Sequence, residues 1–210
     1  MRCFAAAAIV VLAFGSARAD SIKEEKPAAG GPDMKAMMEA CAKAGALNEN
    51  HKRLEAMVGT WDLKVKMWMD PSAPPQESTG TEVTKSVMDG RYFESETKGT
   101  MEMPGPDGKL AKTPFIGKGL TGYDNLKKKF VNTWIDSMST GIFMSEGTYD
   151  EATKSFTYRG DMDDMMAPGT KVPIRIVIRI AGPDSHVFDW HETRGGKEVR
   201  TMEITYSRKK

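Results

Sequence analysis

The sequence predicts an all-β protein, an antiparallel up-and-down β-barrel of about ten strands preceded by short N-terminal helices. From Thr60 onward, apolar and polar residues alternate with a period of two, which is typical of half-buried strands. Short segments rich in Gly, Pro, Asp and Asn separate these runs, so successive strands are expected to pair antiparallel. Because a large sheet with one apolar face loses its exposed edges when it closes, we expect the first and last strands to pair.

The start of the chain, residues 1–19, predicts a signal peptide. Arg2 supplies the positive charge, and the apolar run from Cys3 to Phe14 is too short to span a bilayer. The tripeptide Ala17-Arg18-Ala19 has the small-x-small pattern of a cleavage site. We therefore expect a mature protein that begins at Asp20, is periplasmic or secreted, and has no integral membrane segment after cleavage.

Three further segments follow the signal peptide. Residues 20–32 are rich in Lys, Glu, Ala, Gly and Pro and are predicted to form a flexible tether. Residues 33–58 are predicted to be helical, because Asp33 and one of two asparagines near the middle of the segment can cap short helices. Residues 59–210 are predicted to form the β-barrel domain.

The first predicted strand of the barrel begins at Trp61, after which apolar residues alternate with mostly charged ones as far as Asp70. Pro71 to Gln76 interrupt the pattern, and later breaks carry turn residues such as Asp89-Gly90 and Gly195-Gly196. The other nine strands are predicted at about 77–88, 91–103, 114–123, 129–138, 141–149, 155–162, 172–181, 186–194 and 198–208.

The charge balance and the cysteines exclude some classes of protein. With 30 Lys and Arg against 29 Asp and Glu, the net charge is +1, which gives no basic surface for nucleic acid. Cys3 leaves with the signal peptide, so Cys41 has no partner for an intramolecular disulfide. We expect this thiol to be buried, paired with another molecule or held by a ligand, and the fold to be stabilised by its core.

Two alternatives to a binding role involve catalysis or metal. No HExxH, CxxC, GxSxG, P-loop or GxGxxG pattern is present in the mature chain, so nucleophilic catalysis has no recognisable motif. Carboxylates of Asp136, Asp189 and Glu203, together with His191, could nevertheless converge in the lumen and support an enzyme of unknown reaction.

The 16 methionines suggest a periplasmic copper-handling role as a further alternative. Soft sulfur ligands suit Cu(I), but the helical spacing of the methionines favours apolar packing in a cover or pocket. The two clusters are Met34, Met37, Met38 with Cys41, and Met162, Met165 with Met166.

The histidines of the chain are widely spaced. The chain has three histidines, and His186 and His191 are five residues apart, so on one strand they face opposite sides. The neighbours of His191 in the predicted hairpin, Asp189 and Arg200, are charged. A hydrogen-bonded pair of His191 with Asp189 or Glu203 is therefore the simpler interpretation. We expect no resident cofactor.

The last hairpin allows a prediction of register. If Gly195-Gly196 is a two-residue turn, Arg194 is opposite Lys197. Asp189 and His191 then share a face with Met202 and Ile204, and the apolar members make that face the expected interior.

Taken together, these patterns predict a non-catalytic binding protein that holds a small, mostly apolar molecule in the barrel lumen. We expect Trp134, Met138 and Phe143 from the middle strands to line the cavity. Asp189 and His191 are the predicted polar groups that orient the ligand.

The tripeptide Gly59-Thr60-Trp61 at the head of the first strand resembles the G-x-W motif of the calycin group, which includes lipocalins, fatty-acid-binding proteins and nitrobindin-like barrels. This resemblance implies that Trp61 plugs the barrel floor and that Arg208 in the last strand lies over its ring. The nitrobindin-like members further imply haem as an alternative cofactor, with His191 as its axial ligand, although the last predicted strand here contains no histidine. Residues 50–210 also resemble the exported bacterial domain-of-unknown-function family 1579, which implies a calycin-like fold and no particular activity. The segments that carry this second resemblance are Ser78–Glu82, Gly122–Asp124, Thr133–Met138, Glu146–Asp150 and Tyr206–Lys210.

Overall fold

A computed structural model describes residues 33–105 and 109–210 of the chain. The predicted signal peptide (1–19) and tether (20–32) lie outside the described residues. Within them, two α-helices, α1 (Met34–Ala44) and α2 (Glu49–Leu54), precede the strands, and a 3-10 turn (Glu55–Met57) leads into the first strand. The strands are β1 (Gly59–Met67), β2 (Gln76–Val87), β3 (Tyr92–Pro104), β4 (Leu110–Asp124), β5 (Lys129–Asp136), β6 (Phe143–Asp150), β7 (Ser155–Asp163), β8 (Lys171–Gly182), β9 (Ser185–Arg194) and β10 (Lys197–Arg208).

These strands form one closed barrel in sequence order, and β1 pairs with β10 to complete it. All neighbouring pairs of the described strands are antiparallel. Closure gives every strand two partners, so the described barrel has no open edge. The predicted fold class, an up-and-down barrel of ten strands, is confirmed.

An apolar core fills the end of the barrel that lies next to α2. Leu54, at the end of this helix, is fully buried and belongs to the same cluster as Phe130 and Phe156. The rings of Phe130 and Phe156 meet edge to face with centroids 5.0 Å apart, a favourable aromatic geometry. The helix therefore closes this end of the barrel by placing an apolar side chain into it.

The hairpin of β9 and β10 has a different register from the predicted one. Pairing agrees with the prediction from the Gly-Gly turn as far as His191 opposite Arg200. Beyond this pair the register shifts, because β10 contains one extra residue, Thr201, and Trp190 is then opposite Met202. Such a β-bulge moves all later residues of the strand to the other face, because side chains alternate with a period of two.

The bulge decides which side chains of β9 enter the barrel. Phe188 and Trp190 line the lumen, whereas Asp189 forms ion pairs with exposed arginines on the outer face. The predicted inward placement of Asp189 and His191 is therefore wrong.

Helix α1 lies outside the barrel and has no buried residue. Met34, Met37 and Met38 are largely exposed, so the interpretation of these methionines as packing is wrong. Cys41 is a free, exposed thiol. Of the three alternatives for this residue, burial is therefore wrong, and pairing with another molecule or binding by a ligand stays a prediction. Among the described residues, no helix is long and apolar enough to cross a membrane.

Candidate functional site

The barrel encloses a cavity of about 1050 Å³. It extends from the closed end near α2 to the opposite end, where Ile142 and Met165 line it and are exposed to solvent. Ligand pockets of proteins commonly have volumes of about 300–1,000 Å³, so this lumen can hold a small organic molecule. The cavity is the strongest candidate site in the described part of the chain.

The floor of the cavity is built around Trp61, whose side chain is 0% exposed. Its indole Nε1 donates a hydrogen bond to the Met57 carbonyl oxygen at 2.9 Å. The Arg208 guanidinium lies 4.2 Å from the ring centroid and donates to the Val58 carbonyl oxygen at 2.9 Å. Gly59 has a φ of 144°, and a Cβ there would overlap the Arg208 side chain. A glycine is therefore required where the chain passes under this arginine.

Trp134 forms part of the side wall. Its ring lies against the backbone of β4 at Gly117 and Gly119, because a Cβ on Gly117 would overlap the indole. The indole Nε1 donates a hydrogen bond to Asp136 Oδ2 at 3.0 Å. The glycines let this large ring lie flat along the wall, which leaves the centre of the barrel open.

The other two predicted apolar residues also line the cavity, nearer its open end. Phe143 packs against Trp190, with ring centroids 5.1 Å apart. Met138 lies just beyond β5 and is partly exposed at the rim. Trp134, Met138 and Phe143 are thus brought together in one lumen.

A buried polar cluster lies in the wall formed by β2, β3 and β10. Glu82 is only 8% exposed and accepts hydrogen bonds from Thr97 Oγ1 at 2.7 Å and Thr84 Oγ1 at 3.1 Å. The Tyr206 hydroxyl is 3.5 Å from the same carboxylate. Burial raises the pKa of Glu82, although these hydroxyls oppose the increase.

His186 lies at the same end of the lumen and is 4% exposed. Its ring stacks on Tyr206, with centroids 4.0 Å apart, and meets Trp61 edge to face at 4.5 Å. Burial, with a smaller effect from the positive charge of Arg208, lowers the pKa of His186 to about 4. The ring is therefore neutral at pH 7, and its Nδ1 has no hydrogen-bond partner among the described residues.

Sequence reasoning missed Glu82 and His186 as lumen residues. A signal for Glu82 was present in the register of the first hairpin. Leu63 faces the core and is opposite Gly80, so the even-numbered residues of β2 up to Thr84 face inward. For His186, the register expected from the Gly195-Gly196 turn gives the outer face. The bulge in β10 shifts that register by one residue, which turns His186 to the lumen instead.

The carboxylates of the proposed enzyme alternative do not converge. Asp136 lines the cavity, but Asp189 is on the outer face, where Arg179 and Arg200 bind it at 3.0 and 2.9 Å. Glu203 is also outside, 2.6 Å from Arg200. That alternative loses its geometric basis.

The residues of the metal alternatives lie in different parts of the structure. The described residues contain no group of three or more His, Cys, Asp or Glu side chains in position to hold a metal ion. The second methionine cluster is divided, because Met162 packs against the core whereas Met166 is 90% exposed. His191, the considered haem ligand, lies on the outer face opposite Arg175 and Arg200.

Comparison with known proteins establishes the family. Residues 47–208 match the family described as "Protein of unknown function (DUF1579)". The chain belongs to the DUF1579 family. The match begins just before α2 and includes all ten strands of the described barrel, so the lumen is part of the DUF1579 domain. No curated protein matches the chain.

Two solved structures are similar to the DUF1579 barrel in overall architecture. The S-type phycobiliprotein lyase CPES from Guillardia theta is 15% identical with a TM-score of 0.47, and the match covers 80% of this chain and 96% of that one. A de novo designed fluorescence-activating β-barrel is 15% identical with a TM-score of 0.37, and the match covers 74% of this chain and 97% of the design.

Proposed function

We propose that this DUF1579 protein is a non-catalytic binding protein that holds a small, mostly apolar ligand in the barrel lumen. The observation that carries the proposal is the cavity of about 1050 Å³ with apolar walls and a few polar groups at its closed end. Aromatic and aliphatic side chains from several strands form these walls, including Phe93, Trp134, Ile176, Phe188 and Ile204. Transfer of a ligand's apolar surface from water into such a site is favourable by about 25 cal/mol per Å².

The glycines of the wall support a binding role, because they keep the lumen from being filled by side chains. Gly80 and Gly99 are opposite each other on β2 and β3, and both line the cavity. A Cβ on Gly80 would lie 2.7 Å from the Lys98 carbonyl oxygen, so a larger residue requires the backbone to move. Protein interiors are normally close-packed. An open lumen with a bare backbone wall therefore favours occupation by a ligand.

The binding role is proposed to take place in the periplasm or outside the cell, because residues 1–19 have the features of a signal peptide. N-terminal sequencing of the exported protein is expected to begin at Asp20. Recovery of the exported protein with Met1 intact would contradict this location and its cleavage site.

The binding proposal is tested by a substitution that places a large side chain in the lumen. Ser95 lines the cavity, and its hydroxyl lies near Gly119 on the wall that carries Trp134. We expect Ser95→Trp to weaken binding of the apolar fluorophore N-phenyl-1-naphthylamine by about tenfold or more, which corresponds to about 1.4 kcal/mol. The measurement is a fluorescence titration, since the emission of this probe increases in an apolar site.

The matched control is Glu94→Trp, which adds the same indole to the exposed outer face one residue away on β3. This variant is expected to bind the probe as the wild type does, and circular dichroism should show that both variants keep the sheet. If the wild-type protein gives no saturable fluorescence change, or if both variants bind equally well, the lumen is not the binding site.

A further inference from the structure

The carboxyl group of Glu82 is buried in the wall of the cavity without a counter-charge. The groups that contact it are the neutral hydroxyls of Thr84, Thr97 and Tyr206, and no Lys, Arg or His contributes to its charge balance among the described residues. A buried carboxylate is normally paired, because removal of an isolated charge from water is very costly. The hydroxyls orient the carboxyl group, but they leave its charge uncompensated.

A second group at the same end of the lumen also lacks a partner. His186 stacks on Tyr206, whose hydroxyl is 3.5 Å from Glu82. Its Nδ1 has no hydrogen-bond partner among the described residues although the side chain is almost completely removed from solvent, with only 4% exposed. In the tautomer that carries its proton on Nε2, this nitrogen is a hydrogen-bond acceptor. The closed end of the lumen thus holds a carboxyl group without a counter-charge and, beside Tyr206, a buried ring nitrogen without a hydrogen-bond partner among the described residues.

We propose that the ligand of this lumen is an apolar molecule with a protonated amine, and that its ammonium group binds Glu82 at the closed end. The inference rests on the binding function proposed above and adds the chemical class of the ligand. An ammonium group has three donors and no acceptor, so it complements the Glu82 carboxylate. The neighbouring His186 ring is neutral at pH 7 and adds no competing positive charge. The ammonium group also supplies the missing counter-charge.

The positions of the basic side chains argue against an anionic head group at the same place. Among the described residues that line the cavity, the lysines are Lys98 and Lys171. Both are largely exposed, and they pair with Glu96 and Asp163 respectively. Arg208 is the cation at the floor, but it is not among the cavity-lining residues: it lies over Trp61 and is bound by the Val58 and Pro183 carbonyl oxygens and by Asp184. A fatty-acid carboxylate that entered the closed end would therefore meet the Glu82 carboxyl group instead of an unpaired cation, which is repulsive or requires protonation.

The test compares three ten-carbon ligands that differ only in the head group: decylamine, decanol and decanoate. Each is titrated against N-phenyl-1-naphthylamine bound to the full mature chain at pH 7.5, and its affinity is obtained from displacement of the probe. We expect decylamine to bind most tightly and decanoate least tightly. In Glu82→Gln the affinity for decylamine is expected to fall about thirtyfold, because one partner of a buried charge pair is lost. The affinity for decanol is expected to change less than about threefold.

The matched control is Glu77→Gln, which removes the same charge from an exposed position on β2. This variant is expected to keep the wild-type order of affinities. If wild-type protein binds decylamine no better than decanol, or if the preference for amine survives in Glu82→Gln, the amine assignment is overturned and the binding function remains. The wild-type ranking decides the question even if Glu82→Gln does not fold. If neither the probe nor any of the three ligands binds, the binding function itself fails.

Discussion

Replacement of Trp61 by alanine is expected to lower the free energy of unfolding by about 3–5 kcal/mol. The indole is completely buried at the barrel floor, and its removal leaves a cavity that the rigid strands of a closed barrel cannot fill. The change also removes the ring on which Arg208 lies and the hydrogen bond to the Met57 carbonyl oxygen. Urea unfolding followed by far-UV circular dichroism measures the loss.

The control for this prediction is Trp68→Ala. Trp68 lies just beyond β1, is only partly buried, and contacts the Arg200 guanidinium at 4.9 Å. Its replacement is expected to cost about 1 kcal/mol, the value of an exposed cation–π contact with its local packing. Equal losses for the two variants would show that Trp61 is not a structural plug of the floor.

The second large effect is a change in the pH dependence of stability in His186→Phe. Folding lowers the pKa of His186 from 6.5 to about 4, mainly because the charged ring is disfavoured by burial. Between these pH values the unfolded chain binds a proton that the folded chain does not, so the wild type loses stability as the pH falls through this window. The loss assigned to this residue is about 3 kcal/mol over the window.

The phenylalanine variant cannot take up this proton and keeps an aromatic ring against Tyr206 and Trp61. We therefore expect its free energy of unfolding to increase relative to the wild type as the pH is lowered from 7.5 to 4. Urea unfolding of both proteins at several pH values measures the difference. The raised pKa of Glu82 acts in the opposite direction, but that group is present in both proteins and largely cancels in the comparison. Parallel stability curves would mean that folding does not lower the pKa of His186.

Most of the barrel could be predicted because its determinants are local. The alternation after Thr60 indicates strands, and the turn residues between them make neighbouring strands antiparallel. Closure of the barrel could be predicted because open strand edges are unfavourable. The structure confirms the closure, since Trp61 on β1 pairs with Arg208 on β10. The wall residues Trp134 and Phe143 were also found, because they lie on apolar faces of strands in the middle of the chain.

The polar end of the site could not be predicted in the same way, because it depends on register. One extra residue, Thr201, shifts the pairing of β10 against β9. This shift places His186 inside the lumen and Asp189 outside it. The alternation of apolar and polar residues within β9 or within β10 does not indicate the shift, because the shift concerns the pairing between the strands.

The alternation of residues and the turn segments specify the class of fold and the number and direction of the strands, and the resemblance to the G-x-W motif adds the aromatic plug at the floor. The tertiary structure decided which side chains share the lumen, because Glu82 on β2 and His186 on β9 are brought together only when β1 and β10 close the barrel between them. It also left α1 outside, where no barrel surface covers its methionines. The periodicity of a strand shows which of its residues share a face. The bulge and the closure of the sheet determine which of the two faces is turned toward the lumen.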